Sequence, residues 1–266
     1  MKENSKDSLG DRMKGYEGVV CSHLFKRIPV IIRVDGRAFH TFCKRFEKPY
    51  DQFFNTSMNS VMKYLCEHIQ GAKYAERHSD EISILVTDYE DINTESFFDY
   101  GIQKVVSIVA SMATAEFCKI LIMNSVSYSD YSAGQQKNFL VLDEDWPNFD
   151  ARCFNLPESD ITNYFYWRLQ DCLRSSVSML ARSKFSHKQL HGKSNSEKQE
   201  MLFKEFGINW NNIPQCQKSG NACVRRKVKV TSNGNETERN KWQIIDGPAT
   251  RAEIDTEIQK ALVCKV

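Results

Sequence analysis

Several features are missing from this sequence, and each absence excludes a class of protein. Its 266 residues include nine cysteines, an odd number without a Cys-x-x-Cys pair, which argues against a disulfide framework and a zinc ribbon. The first residues have no apolar core typical of a signal peptide, and no stretch approaches membrane-spanning length. We therefore expect reduced thiols in an intracellular, cytoplasmic protein without a membrane partner.

A strong excess of one charge is also missing. The chain has 36 basic and 34 acidic residues and a net charge of +2. This balance does not by itself indicate nucleic acid, so any site for a polyanion must come from local clustering. Hydrophobic residues make up 41% of the chain, as in ordinary globular proteins, and the length allows one large domain or one domain with an appendage.

Two acidic stretches are the most informative part of the sequence. The apolar run PVIIRVD ends in Asp35, directly before Gly36, which is typical of a core strand followed by a turn. The runs AKYAE and ISILV flank Asp80 and Glu81, which is typical of a hairpin with an acidic tip. If these strands are neighbours, Asp35 and Asp80 converge, and such close charges need a cation between them. The pattern predicts a Mg²⁺ site for phosphoryl transfer.

The order of the predicted elements indicates the fold class. The first strand is followed by a helix with apolar residues from Phe54 to Ile69, by the acidic hairpin, by a helix over residues 95–119 and by a fourth strand over residues 137–142. This order is the split βαβ pattern of ferredoxin-like folds. We predict an α+β protein with a catalytic domain over residues 1–142 and a C-terminal extension over residues 143–266 that packs on it.

The predicted extension begins with turn signals. Residues 143–156 predict irregular structure with one short strand around Arg152, and a long helix follows from Asp160. One face of this helix is apolar, and the other carries Arg168 and Arg174, which we predict to contact RNA. A solvated arginine face with one internal ion pair has the same pattern.

Two later elements also carry cations. Ser194 and Glu197 predict a capping box for a further helix, where Lys198 in the first turn is unfavourable unless it binds a ligand. We expect residues 231–240 to form a mobile loop before a return strand at residues 241–245. The strand from 223 to 230 has three cations on one face, which either contact RNA phosphates or guard a sheet edge: Arg225, Lys227 and Lys229.

Residues near the first strand suggest a phosphate site. Gly36 allows a sharp turn, and the backbone N–H groups that follow it, together with Arg37, could hold a triphosphate. Lys48-Pro49-Tyr50-Asp51 opens the next helix, and Asp51 is either its N-cap or a ligand contact.

Beyond these local patterns, the chain resembles a known family. The run RVDGRAFHTF, starting at Arg33, and Ser79-Asp80-Glu81 are similar to the metal-binding motifs of the tRNA-histidine guanylyltransferase family, whose members add nucleotides in the 3′-to-5′ direction. The similarity covers most of the chain. Its other motifs, in order, are LGDRMKGYE, Lys48-Pro49-x-Asp51, Lys104 with Ser107-x-x-Ala110-Ser111, Trp167-Arg168 to Asp171-Cys172, Lys198-x-Glu200-x-Leu202-Phe203, and Phe206 to Asn212.

The resemblance implies a fold like the palm of polymerases and cyclases, a homotetramer, and two Mg²⁺ ions in each active site. It implies that Asp35 and Asp80 hold the metals with the carbonyl of Gly36, and that Glu81 orients or supplements these ligands. Phe39 would either stack on a base or pack in the core. The implied nucleotide contacts are Gly36, Arg37, Ala38, Phe39, His40, Lys48, Asp51, Ser79, Lys104 and Lys198.

The implied reaction takes place at the 5′ end of the tRNA acceptor stem. A 5′-monophosphate is activated with ATP, and the 3′-hydroxyl of GTP or another nucleoside triphosphate then attacks that end. One metal would lower the pKa of this hydroxyl, and the other would steady the leaving pyrophosphate.

The sequence departs from the family pattern at two places. Eukaryotic enzymes that add the extra guanosine to histidine tRNA have a His-Ile-Asn-Asn-Leu-Tyr-Asn-Thr run where residues 173–180 read LRSSVSML. This difference resembles the like-protein branch, whose members are similar to template-dependent enzymes that repair 5′-truncated tRNA. Asp99-Tyr100-Gly101 replace an expected arginine before Lys104, so part of the triphosphate contact differs.

Template-dependent 5′-end repair is therefore the predicted activity, with three alternatives. The first is addition of the extra guanosine to histidine tRNA. The second is a nucleotidyl cyclase, which also uses a palm with two metal-binding carboxylates. The third is a palm that binds RNA without catalysis.

Overall fold

The computed structural model describes residues 8–127, 146–232 and 235–263. The strands are β1 (Val30–Arg37), β2 (Ala72–His78), β3 (Glu81–Val86), β4 (Asn148–Asn155), β5 (Asn221–Ser232) and β6 (Asn235–Asp246). The helices are α1 (Leu9–Gly18), α2 (Phe39–Phe42), α3 (Gln52–His68), α4 (Ile102–Ser127), α5 (Ile161–Arg182), α6 (His187–Leu190), α7 (Asn195–Phe206), α8 (Gln215–Ser219) and α9 (Arg251–Val263).

The strands of the described residues form one antiparallel sheet in the order β4-β1-β3-β2-β5-β6. The elements β1, α3, β2, β3, α4 and β4 follow one another along the chain, while β4, β1, β3 and β2 are neighbours in the sheet. This arrangement is the ferredoxin-like split βαβ fold. The predicted α+β class is therefore confirmed.

Helices cover both faces of the sheet. On one face, Val34 of β1 packs in a core with Met58 of α3 and Phe117 of α4. On the other, Ile31 packs in a second core with Phe165 of α5, to which α9 also contributes. Because alternate residues of a strand point to opposite faces, β1 is buried on both sides, which explains its continuous apolar run.

Two predicted helix starts are confirmed. The Asp51 carboxylate accepts a hydrogen bond from the Phe54 amide at 2.7 Å, so Asp51 is the N-cap of α3. Ser194 and Glu197 form both hydrogen bonds of a capping box at the start of α7. The predicted apolar stripe of α3, from Phe54 to Ile69, is buried.

The fourth strand along the described chain, β4, lies where one short strand was predicted around Arg152. It has eight residues and pairs with β1 along its whole length. The other predicted strand, over residues 137–142, lies outside the described residues. Since β4 is an edge strand in which Phe149 alone is buried, its sequence has no clear alternation that would indicate its full length.

The predicted loop over residues 231–240 is also wrong in its extent. β5 continues to Ser232 and β6 begins at Asn235, and the two strands pair over twelve residues each. β5 pairs with β2 only at residues 221–223, so most of the hairpin extends beyond the sheet. Its polar strands gain stability from cross-strand contacts, such as Lys227 with Glu238, which local composition does not reveal.

The second predicted helix begins later than expected, at Ile102. A short 3₁₀ segment precedes it with left-handed backbone at three residues, one of which, Phe98, is 39% exposed. Residues Ile102–Asn124 of α4 are long and apolar enough to cross a membrane, so the expectation that no stretch approaches that length is wrong. Core helices of globular proteins also meet this criterion, and Val109 and Phe117 of α4 are buried against the sheet.

Candidate active site

The two predicted acids meet at one end of the sheet. Asp35 of β1 lies opposite Glu81 of β3, and Asp80 occupies the turn directly before Glu81. Asp35 and Asp80 both line a cavity of about 260 Å³, which we call the acidic cavity. The predicted convergence is confirmed by this geometry. The side chains that line the acidic cavity include Asp35, Asp51, Arg77, Asp80, Glu81, Arg168, Asp171, Cys172, Ser175, Ser176 and Met179.

Electrostatics make this pair of acids unfavourable without a cation. Burial raises the pKa of Asp35, and the charges of Glu81 and Asp150 raise it further. Burial also raises the pKa of Asp80, and the negative charge of Asp35 adds to this effect. A bound cation would remove the repulsion between the two carboxylates.

The turn after Asp35 requires glycine for a packing reason. A Cβ atom on Gly36 would lie 2.4 Å from Cγ of the Phe39 ring, closer than real contacts allow. The Phe39 ring is buried and packs 4.9 Å, centroid to centroid, from the ring of Phe149. Of its two predicted roles, Phe39 therefore has the core-packing one. Arg37 and Ala38 are exposed and line neither of the cavities described here.

The donor atoms at this end of the sheet suit a hard divalent cation. The carboxylates of Asp35 and Asp80 are oxygen donors of the kind that Mg²⁺ prefers, and the backbone carbonyl of Gly36 stays a predicted third ligand. Within residues 8–127, 146–232 and 235–263, no three His, Cys, Asp or Glu side chains cluster as a metal site. The residues therefore fit a site made of two carboxylates, with a carbonyl and solvent or substrate oxygens as the other ligands.

Glu81 has partners that were not predicted. Its carboxylate accepts two hydrogen bonds from the Arg168 guanidinium, at 2.7 and 2.6 Å, and lies 3.7 Å from Nε of Arg33. These charge-assisted contacts direct Glu81 toward arginines, although it still lines the acidic cavity. Glu81 thus anchors Arg168, and its part in orienting or supplementing the metal ligands stays a prediction.

The same contacts correct the prediction for Arg168. Its side chain is only 12% exposed and also lies 3.4 Å from Asp171, so its donors are used inside the protein. The internal ion pair considered from the sequence is therefore present, and Arg168 does not lie on an exposed surface for RNA. Arg174, six residues further along α5, is 63% exposed and remains a predicted RNA contact.

A second and larger cavity adjoins the acidic cavity. It has a volume of about 750 Å³, and Asp51, Ser79 and Asp80 line both. We call it the cationic cavity because its walls carry four basic side chains: His40, Lys48, Arg174 and Arg182. Lys48 is exposed and donates a hydrogen bond to the Cys43 carbonyl at 2.7 Å.

The two remaining predicted lysines lie in different places. Nζ of Lys198 is 3.1 Å from Oγ of Ser178, which lines the cationic cavity, so Lys198 stands at its border. Lys104 lies over the Phe98 ring, near the end of the sheet where β1 begins and β3 ends. Asp35 and Asp80 lie at the opposite end of the sheet. Within one chain, Lys104 is therefore not close to them.

The cations of the β5–β6 hairpin lie away from both cavities. The Arg225 guanidinium lies over the Trp242 ring, 4.9 Å from its centroid, and Lys227 is 4.0 Å from Glu238. Lys227 and Lys229 are exposed. Contact of these residues with RNA remains a prediction.

Sequence reasoning missed several residues of the site. Arg182 lines the cationic cavity, and its spacing of four residues from Ser178 and of eight from Arg174 already placed the three on one helical face. Asp150 lies beside Asp35 because β4 pairs with β1, and this pairing was not predicted. Arg77 lines the acidic cavity although it lies in a strand that seemed purely structural.

Fold and site together define a class of protein, the enzymes of phosphoryl transfer that place two carboxylates at the end of a palm-like sheet. The family model described as tRNAHis guanylyltransferase matches residues 10–157, and a model of the C-terminal domain of the same family matches residues 159–261. The chain belongs to the tRNAHis guanylyltransferase family. It is therefore a nucleotidyltransferase.

Individual relatives agree with this assignment. A bacterial tRNA(His) guanylyltransferase-like protein solved in complex with ATP is 36% identical, with a TM-score of 0.80 over 95% of this chain and 98% of that chain. Another structure of such a bacterial protein, in complex with GTP, is 32% identical, with a TM-score of 0.73 over 97% and 100% of the two chains. The tRNA(His) guanylyltransferase of Debaryomyces hansenii is 30% identical over 85% of this chain and 84% of its own.

Proposed function

We propose that this protein adds nucleotides to the 5′ end of tRNA in the 3′-to-5′ direction, copying the opposite strand, and so repairs truncated tRNA. The observation that supports this most directly is that Asp80 lies on the wall shared by the acidic and cationic cavities. A polyphosphate in the cationic cavity would thus reach the carboxylates where a metal is expected.

The cationic cavity would hold the nucleoside triphosphate. Its volume of about 750 Å³ falls in the range of small-molecule sites, roughly 300–1,000 Å³. Lys48, Arg174 and Arg182 would neutralise the phosphates, with Lys198 at the border. His40 is exposed beside them and would contact phosphate or ribose. The bacterial relatives bound to ATP and GTP support this assignment of substrates.

The reaction would take place in two steps. An oxygen of the RNA 5′-monophosphate attacks the α-phosphorus of ATP, which forms a new P–O bond and releases pyrophosphate. The 3′-hydroxyl of the incoming nucleotide then loses its proton and attacks the activated 5′-phosphorus, and AMP leaves. Two bound Mg²⁺ ions would lower the pKa of that hydroxyl and neutralise the leaving group. Asp35 and Asp80 would hold them, with the carbonyl of Gly36.

One segment differs in sequence from the enzymes that add guanosine to histidine tRNA, and its position supports the repair activity. Residues 173–180 belong to α5, where Ser175 and Met179 line both cavities and Ser178 lines the cationic one. The difference therefore lies where the substrate would bind. The bacterial guanylyltransferase-like relatives favour the same branch.

The decisive experiment supplies tRNA that lacks its first nucleotide, with ATP and each nucleoside triphosphate in turn. We expect extension only by the nucleotide that pairs with the base opposite the gap, and no extension by Asp80→Ala. Changing the opposite base should change the nucleotide that is added. Extension without Mg²⁺, or by a base that does not pair, would contradict the proposal.

Addition of the extra guanosine to histidine tRNA is the second candidate, favoured by the relative from Debaryomyces hansenii. Guanosine addition regardless of the opposite base would identify it in the same assay. A control reaction with GTP alone tests for cyclic product, which would indicate a nucleotidyl cyclase.

Our proposal also includes a homotetramer in the cytoplasm, with tRNA held partly by the β5–β6 hairpin. An unburied apolar surface supports self-association: Leu9 is 65% exposed, Tyr16 67% and Phe25 75%. Light scattering of the purified protein would give the number of subunits. A monomer at micromolar concentration would contradict this part.

A further inference from the structure

Arg77 is a fully buried arginine next to the acidic turn. It occupies β2, three residues before Asp80, and is only 2% exposed. Its guanidinium is enclosed by asparagine side chains: it donates to Oδ1 of Asn59 at 2.8 Å, of Asn221 at 2.7 Å and of Asn55 at 3.2 Å. Asn55 and Asn59 lie about one turn apart on α3 and Asn221 begins β5, so Arg77 connects α3 to the start of β5.

This arginine differs from Arg168, the other arginine of the acidic cavity. Arg168 has carboxylate partners, whereas no carboxylate among the described residues lies within ion-pair distance of Arg77. Burial lowers the pKa of Arg77 to about 10. A buried cation with neutral partners alone is costly to the fold. Such a residue calls for a reason beyond packing.

Its remaining hydrogen bond points to that reason. Nη1 of Arg77 donates to the backbone carbonyl of Ser79 at 2.9 Å. Ser79 has left-handed backbone, with φ of +56°, a conformation that non-glycine residues rarely adopt. The contact holds the peptide that leads directly into Asp80.

The backbone of Arg77 is also fixed, by contact with the start of β5. A Cβ atom on Gly220 would lie 1.9 Å from the Arg77 carbonyl oxygen, so β5 starts in direct contact with the β2 backbone. Gly220 has φ of +72°, which favours glycine. Arg77 is therefore held at both its backbone and its side chain, while Asp80 is presented from an exposed turn residue, Ser79.

We propose that Arg77 is a positioning residue, which orients the metal-binding carboxylate of Asp80 through the Ser79 carbonyl. The inference rests on the proposed function, since it assumes that Asp80 holds Mg²⁺. Groups that orient the ligands of a metal typically change its affinity by about 10- to 100-fold when they are mutated.

The direction in which Arg77→Met changes the affinity for Mg²⁺ distinguishes a positioning role from a simple charge effect. Arg77→Met removes a cation beside the carboxylates, so on electrostatics alone Mg²⁺ would bind more tightly. If Arg77 positions Asp80, the same change weakens Mg²⁺ binding by about tenfold. Arg77→Lys keeps the charge but lacks the fork that joins the asparagines to Ser79, and it should weaken binding similarly.

The experiment measures Mg²⁺ binding without turnover, from the rise in thermal midpoint as Mg²⁺ is added, and from Mn²⁺ binding by electron paramagnetic resonance. Arg27→Met is the matched control: Arg27 also donates to backbone carbonyls, those of Asp88, Asp91 and Ile92, but at the opposite end of the sheet. It should lose stability without a change in metal affinity. If Arg77→Met does not fold, Asn59→Ala replaces it, which removes the acceptor of Nε together with the hydrogen bond that Asn59 donates to Asn221.

Each outcome has one meaning. Weakened binding in both Arg77 variants, with the control unchanged, supports the proposal. Unchanged or tighter binding in Arg77→Met, or wild-type binding in Arg77→Lys, overturns it. If the wild-type protein binds no Mg²⁺, or Asp80→Asn binds it as well as wild type, the proposed function itself fails.

Discussion

The acidic and cationic cavities adjoin, yet they are built from different kinds of structure. The acids come from the ends of β1 and the β2–β3 turn, which the sheet ladder holds in register. The cations come from α5 and from the segment between β1 and α3, on long side chains such as Arg174 and Lys48 that are largely exposed. Rigid strands thus place the groups that need exact geometry, and flexible side chains supply charge for binding.

This comparison predicts different losses when each cavity is altered. A change at the strand ends should reduce turnover or stability, because the strand pairing fixes the positions of the side chains there. A change among the exposed cations should instead weaken substrate binding. Three substitutions test these expectations.

The largest effect is expected from Asp80→Ala. It should lower nucleotide addition by at least about 10³-fold, because several kcal/mol of metal-dependent stabilisation is lost, while folding is kept. Turnover under saturating nucleotide and far-UV circular dichroism measure the two parts. Glu67→Ala is the control, since its carboxylate is 43% exposed, pairs with Lys63 on α3 and lines neither cavity. Near wild-type activity of Asp80→Ala would contradict the site.

A smaller effect is expected from Gly36→Ala. The new methyl group would overlap the Phe39 ring, and such overpacking costs about 1–3 kcal/mol of unfolding free energy. Urea unfolding of the protein measures it. Gly15→Ala serves for comparison, because nothing lies within 4 Å of the position its Cβ would occupy. Equal stability of the two variants would show that Phe39 does not pack against the turn as described.

An effect similar in size to that of Gly36→Ala, but on substrate binding, is expected from Arg182→Ala. Loss of one charge-assisted hydrogen bond, worth about 1.5–3 kcal/mol, should raise the KM for ATP by about tenfold or more, with a smaller change in kcat. Steady-state kinetics separate the two constants. Lys184→Ala removes a nearby cation that lies over the Phe206 ring, outside the cationic cavity, and should change neither. A fall in kcat at unchanged KM would contradict the division between the cavities.

Features that depend on residues close together in the chain were predicted better than features that depend on distant residues. Asp35 was found because it ends a short apolar run and Asp80 because two strand-like runs flank it, and the antiparallel register of β1 and β3 then brings the two acids together. Asp51 and Ser194 were found because helix capping is local. The edge strand β4 was predicted only as a short strand around Arg152, and its pairing with β1 was missed, since the two strands are more than a hundred residues apart in the chain.

Residues on helices were harder to assign. Arg168, Arg174 and Arg182 share one helix, and the sequence could not tell which one is turned into the protein. The structure places Arg168 under Glu81 and leaves the other two at the cationic cavity. For Lys104, only the direction of α4 across the sheet decided that it lies far from the acids.

By itself, the sequence determined the elements, the acidic pair and the family resemblance, because these depend on periodicity, capping and motifs within a few residues. The tertiary structure decided which charges pair inside the protein and which remain for substrate. Glu81 and Arg168 illustrate the reason, since 87 residues separate them and only packing of α5 on the sheet brings them within 2.6 Å. A buried ion pair depends on contacts made after the chain has folded, and no local pattern contains that information.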